Sequence, residues 1–235
     1  MLAAAAVCPC PPLLVPDVAA GAAPELDGAR TACSDALAVL AASRPDLLVV
    51  VGPGARREPE RYPAGAVGDF RGFGVEVDVR LGAGPGGDRP LPAPLAVGAW
   101  LLERAGWADA PVEGLAVGER LAPARCAGTG RELAARAGRV ALLVLGDGSA
   151  CRDVKAPGYL DERAAAFDER AARALGSADA GALAALDEHL AYELKAAGRA
   201  PWQVLAGAAE GAGLEGGLLY EDAPYGVGYF VAAWS

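Results

Sequence analysis

Three short apolar runs, each delivered straight into a turn of glycine or proline, constrain this chain more than any other feature. Leu2 to Val7 meets Cys8-Pro9-Cys10-Pro11-Pro12. Asp46-Leu47-Leu48-Val49-Val50-Val51 runs into Gly52-Pro53-Gly54. Arg139 to Leu145 delivers Gly146-Asp147-Gly148-Ser149-Ala150-Cys151-Arg152. Continuous apolar runs of this length fit strands buried on both faces, as in parallel sheets. Parallel strands bring such turns to one carboxyl edge, where open α/β sheets bind their ligands.

The segments between these runs supply the rest of an α/β domain. Leu26, Ala29, Cys33, Ala36, Leu37 and Leu40 recur at helical spacing after Pro24-Glu25, and Arg44-Pro45 ends the pattern. Cys33 falls on the apolar face and reads as a core thiol. With the flanking runs this helix makes a βαβ unit of right-handed crossover. Val75 to Leu81 alternates like a half-exposed strand, and Val112 to Val117 is a further strand. Helices are expected over 95–105, 130–137, 161–175, 179–197 and 201–212. Leu214 to Tyr220, a turn at 221–224 and a strand from Tyr225 to Trp234 close the chain. The glycines between Gly82 and Gly87 do not form a phosphate loop, because no Lys-Ser/Thr follows and prolines stand where a helix should start. The expectation is one α/β domain over residues 1–235, with a mostly parallel or mixed central sheet flanked by helices.

Composition narrows the function. With 53% hydrophobic residues the chain can bury a large core, yet no apolar run reaches the ~18 residues of a membrane span. A formal charge of -9 argues against a phosphate backbone as partner. The N-terminal run has no preceding Lys or Arg and is soon broken by prolines, so a cytoplasmic protein without a secretory leader is expected. The five cysteines are odd in number and irregularly spaced, which fits reduced thiols better than a disulfide framework.

The turns also follow a familiar order. A strand entering Pro11-Pro12-Leu13-Leu14-Val15-Pro16, a second ending in Gly52-Pro53, and a later Gly146-Asp147-Gly148-Ser149 stand in that sequence. Ala156-Pro157-Gly158-Tyr159, Ala164-Ala165-Ala166-Phe167-Asp168, Gly198-Arg199-Ala200-Pro201-Trp202 and Val227-Gly228-Tyr229 follow. This pattern resembles the catalytic B-subunit (LigB-like) domain of class III extradiol ring-cleavage dioxygenases, and is similar to the Memo proteins. The resemblance implies a mixed-sheet α/β domain that opens catechols with O2 and Fe(II) held by two histidines and a carboxylate, with a further histidine as acid/base. Carried onto this chain, the three histidine positions fall on Cys10, Gly54 and Ala150. The cysteine that precedes the late glycine in the Memo branch is replaced by Ala197.

His189 is the sole histidine, so one chain cannot build a two-histidine iron centre. It sits in Leu186-Asp187-Glu188-His189-Leu190, where it reads as a helix-surface residue. The resulting expectation is a non-catalytic member of that fold, with no resident cofactor, acting as a binding or partner subunit. Its partners would be a small anionic or aromatic ligand, a second copy, or a true dioxygenase subunit. An alternative keeps a ring-cleaving or other metal-dependent oxidoreductase activity through Cys8, Cys10 and Cys151, whose thiolates favour zinc or copper(I) over iron, with Asp147 or Asp153 as a further ligand. Cys10 also stands as a candidate nucleophile, given a positive neighbour such as Arg152 or Lys155. Around these the expected pocket takes Gly54, Asp147, Ser149, Ala150, Cys151, Arg152, Lys155, Tyr159, Glu221 and Tyr225. Asp222 lies at the same edge, and Arg152 and Lys155 are its anion-holding cations.

Overall fold

Strict alternation along the three apolar runs decides the architecture. In the computed structural model, which describes residues 1–235, Ala5, Val7, Val49, Val51, Leu142 and Val144 enter one hydrophobic core. Their neighbours Ala4, Ala6, Cys8, Leu48, Val50, Leu143 and Leu145 enter another. Side chains that alternate into two separate cores put a sheet between two helical layers.

In chain order the elements are β1 (Leu2–Cys8), α1 (Pro16–Ala19), α2 (Asp27–Ala42), β2 (Leu47–Gly54), β3 (Glu60–Tyr62), β4 (Val67–Asp69) and β5 (Asp78–Arg80). There follow α3 (Ala93–Arg104), β6 (Val112–Gly118), α4 (Pro123–Ala134), β7 (Val140–Leu145), α5 (Arg163–Gly176), α6 (Ala180–Ala184), α7 (Glu188–Glu193), α8 (Arg199–Ala208), β8 (Gly216–Asp222) and β9 (Tyr229–Trp234). The main sheet has seven strands in the order β3-β6-β2-β7-β1-β9-β8. Its centre, β6-β2-β7-β1, is parallel. The outer strands β3, β9 and β8 run antiparallel to their inner neighbours. Helices α2 and α3 cover one face, and α4 to α8 cover the other.

The expected α/β sheet is present, with differences in detail: the helix expected over 130–137 is α4, which starts seven residues earlier at Pro123. β7 lies between β1 and β2, so the first crossover skips a strand. The alternating stretch 75–81 contributes only Asp78–Arg80, paired with β4 in a separate two-stranded ribbon. The helix expected over 179–197 is two short helices, because Asp179 and Asp187 each accept a backbone N–H three residues on, from Ala182 (2.9 Å) and Leu190 (2.7 Å), and so cap new starts. The last strand begins at Tyr229, four residues later than its apolar pattern suggested.

One buried carboxylate fixes the third turn. Asp168 of α5 is fully buried and accepts the Ser149 backbone N–H at 2.7 Å, the Ser149 hydroxyl at 2.8 Å and the Arg152 guanidinium at 3.1 Å. Burial raises its pKa, and these three donors oppose the rise. Removing it would strand the Ser149 donors and the partly buried Arg152 charge. Asp168→Ala is expected to lower stability by about 3–5 kcal/mol in urea unfolding, with Asp168→Asn less damaging because it keeps an acceptor.

Candidate functional site

The carboxyl ends of the parallel strands form a row: Gly118 of β6, Gly54 of β2, Gly146 after β7, and Cys8 to Cys10 at the end of β1. The first and third turns are tied together there. The Cys10 N–H donates to Asp147 Oδ1 at 2.8 Å, and the Gly146 N–H donates to the Cys8 carbonyl at 3.1 Å. The start of α8 closes over the same point, with the Gly198 N–H on the Asp147 carbonyl at 2.8 Å. Glycine is required on both sides for different reasons: a Cβ on Gly146 would lie 2.3 Å from Gly198 Cα, and one on Gly198 would meet the Trp202 ring at 2.3 Å.

The chemistry of this tie is set by burial. Asp147 keeps partial contact with solvent, yet its carboxyl is desolvated and its pKa rises from the ordinary 3.8 to about 7; the Cys10 N–H opposes that rise. Burial pushes the Cys10 thiol well above its usual range, and the Asp147 charge pushes it further. Burial raises the nearby Tyr229 phenol as well, again reinforced by Asp147. Cys10 is therefore a protonated thiol at neutral pH, the opposite of an activated nucleophile. Neither cation invoked for it is free to help, because Arg152 is bonded to Asp168 and Lys155 is exposed.

The other expected residues scatter. Cys8 shares a face with Cys10 but meets Cys33 in the core. Cys151 lies in the opposite core, its thiol pointing at the Gly158 and Leu194 carbonyls at 3.6 and 3.5 Å. The three thiols thus do not converge, and no group of three or more His, Cys, Asp or Glu is placed to hold a metal ion. Ala150 is buried, with its N–H on the Leu194 carbonyl at 2.9 Å. Ser149 serves Asp168. Tyr159, Glu221 and Asp222 are exposed, and the Tyr225 hydroxyl donates to Glu25 at 2.9 Å. His189 is an exposed residue of α7, 3.5 Å from Glu193, as its sequence context suggested.

Gly54 alone of the expected residues lines one of the larger surface clefts. This cleft, of about 310 Å³, is framed by Gly54 to Arg57, Gly118 to Arg120, and Tyr192 of α7. The register pair Gly54–Gly118 borders it, and both glycines are close-packed: a Cβ would meet Ala116 Cβ at 2.9 Å and the Arg56 carbonyl at 2.2 Å, respectively. Arg120 stacks on the Tyr192 ring at 4.6 Å. The turn carrying Arg120 is held from below by buried Arg199, which donates to the Glu119 carbonyl and, at 2.6 Å, to the Leu121 carbonyl. The arginine pair Arg56-Arg57, two residues after Gly54, was a visible signal for this cleft. Arg120 and Tyr192, distant in sequence, were not.

The sequence profiles of known families do not match the chain, and neither do the curated proteins. Among solved structures it is similar to uncharacterized protein JW3007 from Escherichia coli K12, at 15% identity and a TM-score of 0.57 over 98% of both chains. That likeness concerns the fold.

The Asp147 carboxyl gives a pH test. Its pKa is higher folded than unfolded, so the folded state takes up the proton. Its contribution to stability is fully present below about pH 4 and is lost as pH rises through 7. Asp147→Asn keeps the acceptor for Cys10 without the charge. Thermal unfolding should show the variant gaining on the parent between pH 4 and 8, by of order 2 kcal/mol once partial solvent contact is allowed for.

Proposed function

We propose that this chain is a class III extradiol dioxygenase-like domain that lacks the family's Fe(II) centre and works as a small-molecule-binding or partner subunit. The observation that carries this reading is the donor set at the carboxyl edge. The three positions that the resemblance gives to histidine hold a buried thiol at Cys10, a close-packed glycine at Gly54 and a buried alanine at Ala150. Glycine and alanine offer no side-chain donor, and the one imidazole of the chain stands on α7, paired with Glu193. Fe(II) in a facial triad needs two imidazoles and a carboxylate on one side of the metal. The residues present do not fit that group.

The carboxyl edge itself supports a binding role. Four parallel strands end there, and a cleft opens beside β2 and β6. Pockets at such edges are the usual ligand sites of open α/β sheets. The reading that keeps a cysteine-based metal enzyme draws less support, because Cys151 is separated from Cys8 and Cys10 by the sheet.

Protein purified without a histidine tag tests the proposal. Elemental analysis is expected to find iron far below one per chain, and oxygen uptake with catechols after anaerobic Fe(II) loading should match the protein-free rate. Stoichiometric iron with catechol-dependent oxygen consumption would overturn it.

A further inference from the structure

We infer that the cleft over Gly54 and Gly118 is a binding site for a small doubly charged oxyanion, gripped by Arg57 and Arg120. The inference rests on the binding reading for its place in the protein's work, and on separate observations for its chemistry.

The first observation is charge. In a chain of net charge -9, Arg56, Arg57 and Arg120 crowd one cleft of about 310 Å³. The acids that could neutralise them are engaged or held apart. Glu58 pairs with Arg125 at 2.8 Å, and Glu60 pairs with Arg89 at 2.5 Å while reaching Arg56 at 3.2 Å. Glu119 lines the cleft without an ion pair to any of the three. Arg57 and Arg120 are left with no carboxylate partner, so the cleft carries uncompensated positive charge that an anion would relieve.

The second observation is preorganisation. Arg120 is stacked on Tyr192, which restrains the guanidinium plane and leaves its N–H edge free. Buried Arg199 pins the backbone on either side of Arg120 through the Glu119 and Leu121 carbonyls. Gly118 lets the Arg56-Arg57 segment pack directly on β6, because a Cβ there would lie 2.2 Å from the Arg56 carbonyl, and that contact holds the segment in place. A guanidinium fork held this way matches two oxygens of a carboxylate or phosphate, and two such forks suit a dianion.

Two sources share that chemistry, a phosphate group and a dicarboxylate, and the cleft is of a size for a small molecule. The cations expected from the sequence, Arg152 and Lys155, do not line it.

Isothermal titration calorimetry of the full chain at about pH 7.5, with inorganic phosphate and with phthalate in separate arms, tests the inference. At least one should bind with a stoichiometry of one, and Arg57→Gln and Arg120→Gln should each weaken it tenfold or more. Arg104→Gln is the control, since Arg104 also stacks on an aromatic ring, Trp100 at 5.6 Å, but on α3 away from the cleft. Arg57 and Arg120 are exposed, so circular dichroism should show the variants folded. A preference between the two arms identifies the source. No binding of either anion at 10 mM, or equal binding by parent, cleft variants and control, would overturn the inference. Iron with oxygenase activity would overturn the binding reading and leave this titration to stand or fall alone.

Discussion

The parallel pairing of β1 and β2 on either side of β7 is the constraint from which the rest follows. It registers Cys8 with Leu145 and Val51 with Val144, so the first, second and third turns emerge side by side. Once they do, unsatisfied backbone groups at the strand ends must find partners, and few are within reach. Asp147 takes the Cys10 N–H, Gly146 takes the Cys8 carbonyl, and Gly198 takes the Asp147 carbonyl. Helix α8 can approach for that last bond only because Gly146 has no side chain. The edge is thus built by backbone geometry, and its electrostatics follow from burial: a carboxyl pushed up to about 7 beside a thiol pushed well above its usual range.

This arrangement separates scaffold from chemistry. The edge is shaped by the prolines after Cys10, the tight Gly146-Asp147-Gly148 turn and the Asp168 clamp beneath Ser149. It gathers no group of three or more His, Cys, Asp or Glu that could hold a metal ion. At Gly54 the packing goes further than a missing donor, because any side chain there meets Ala116 unless the strands shift. The open space is the neighbouring cleft, which Gly54 and Gly118 line together with Arg56, Arg57 and Arg120.

Much of the frame was legible in sequence because it depends on local pattern. Short apolar runs, most of them ending in glycine or proline turns, located β1, β2, β6 and β7, and helical spacing located α2, α3 and α5. The order of strands was not legible, since nothing in β7 itself says that it inserts between β1 and β2. Nor were the breaks at Asp179 and Asp187, where an apolar period runs on while capping carboxylates restart the helix. Site residues were harder still. Cys8, Cys10 and Cys151 share a chemical type but not a face of the sheet, and sequence spacing across 140 residues cannot report a face. Arg152 looked like a free cation until Asp168, sixteen residues on, was found beneath it. The cleft joins Arg57, Arg120 and Tyr192 from three separate segments, a grouping only the fold creates.

The central claim is that the carboxyl edge keeps the shape of a ligand site without an Fe(II) triad. Ferrous ion held with open coordination positions binds nitric oxide and gives a high-spin ferrous-nitrosyl signal in electron paramagnetic resonance. Untagged protein loaded anaerobically with Fe(II), desalted and exposed to nitric oxide should show no protein-bound signal above a denatured control. A ferrous-nitrosyl signal approaching one iron per chain would contradict the account.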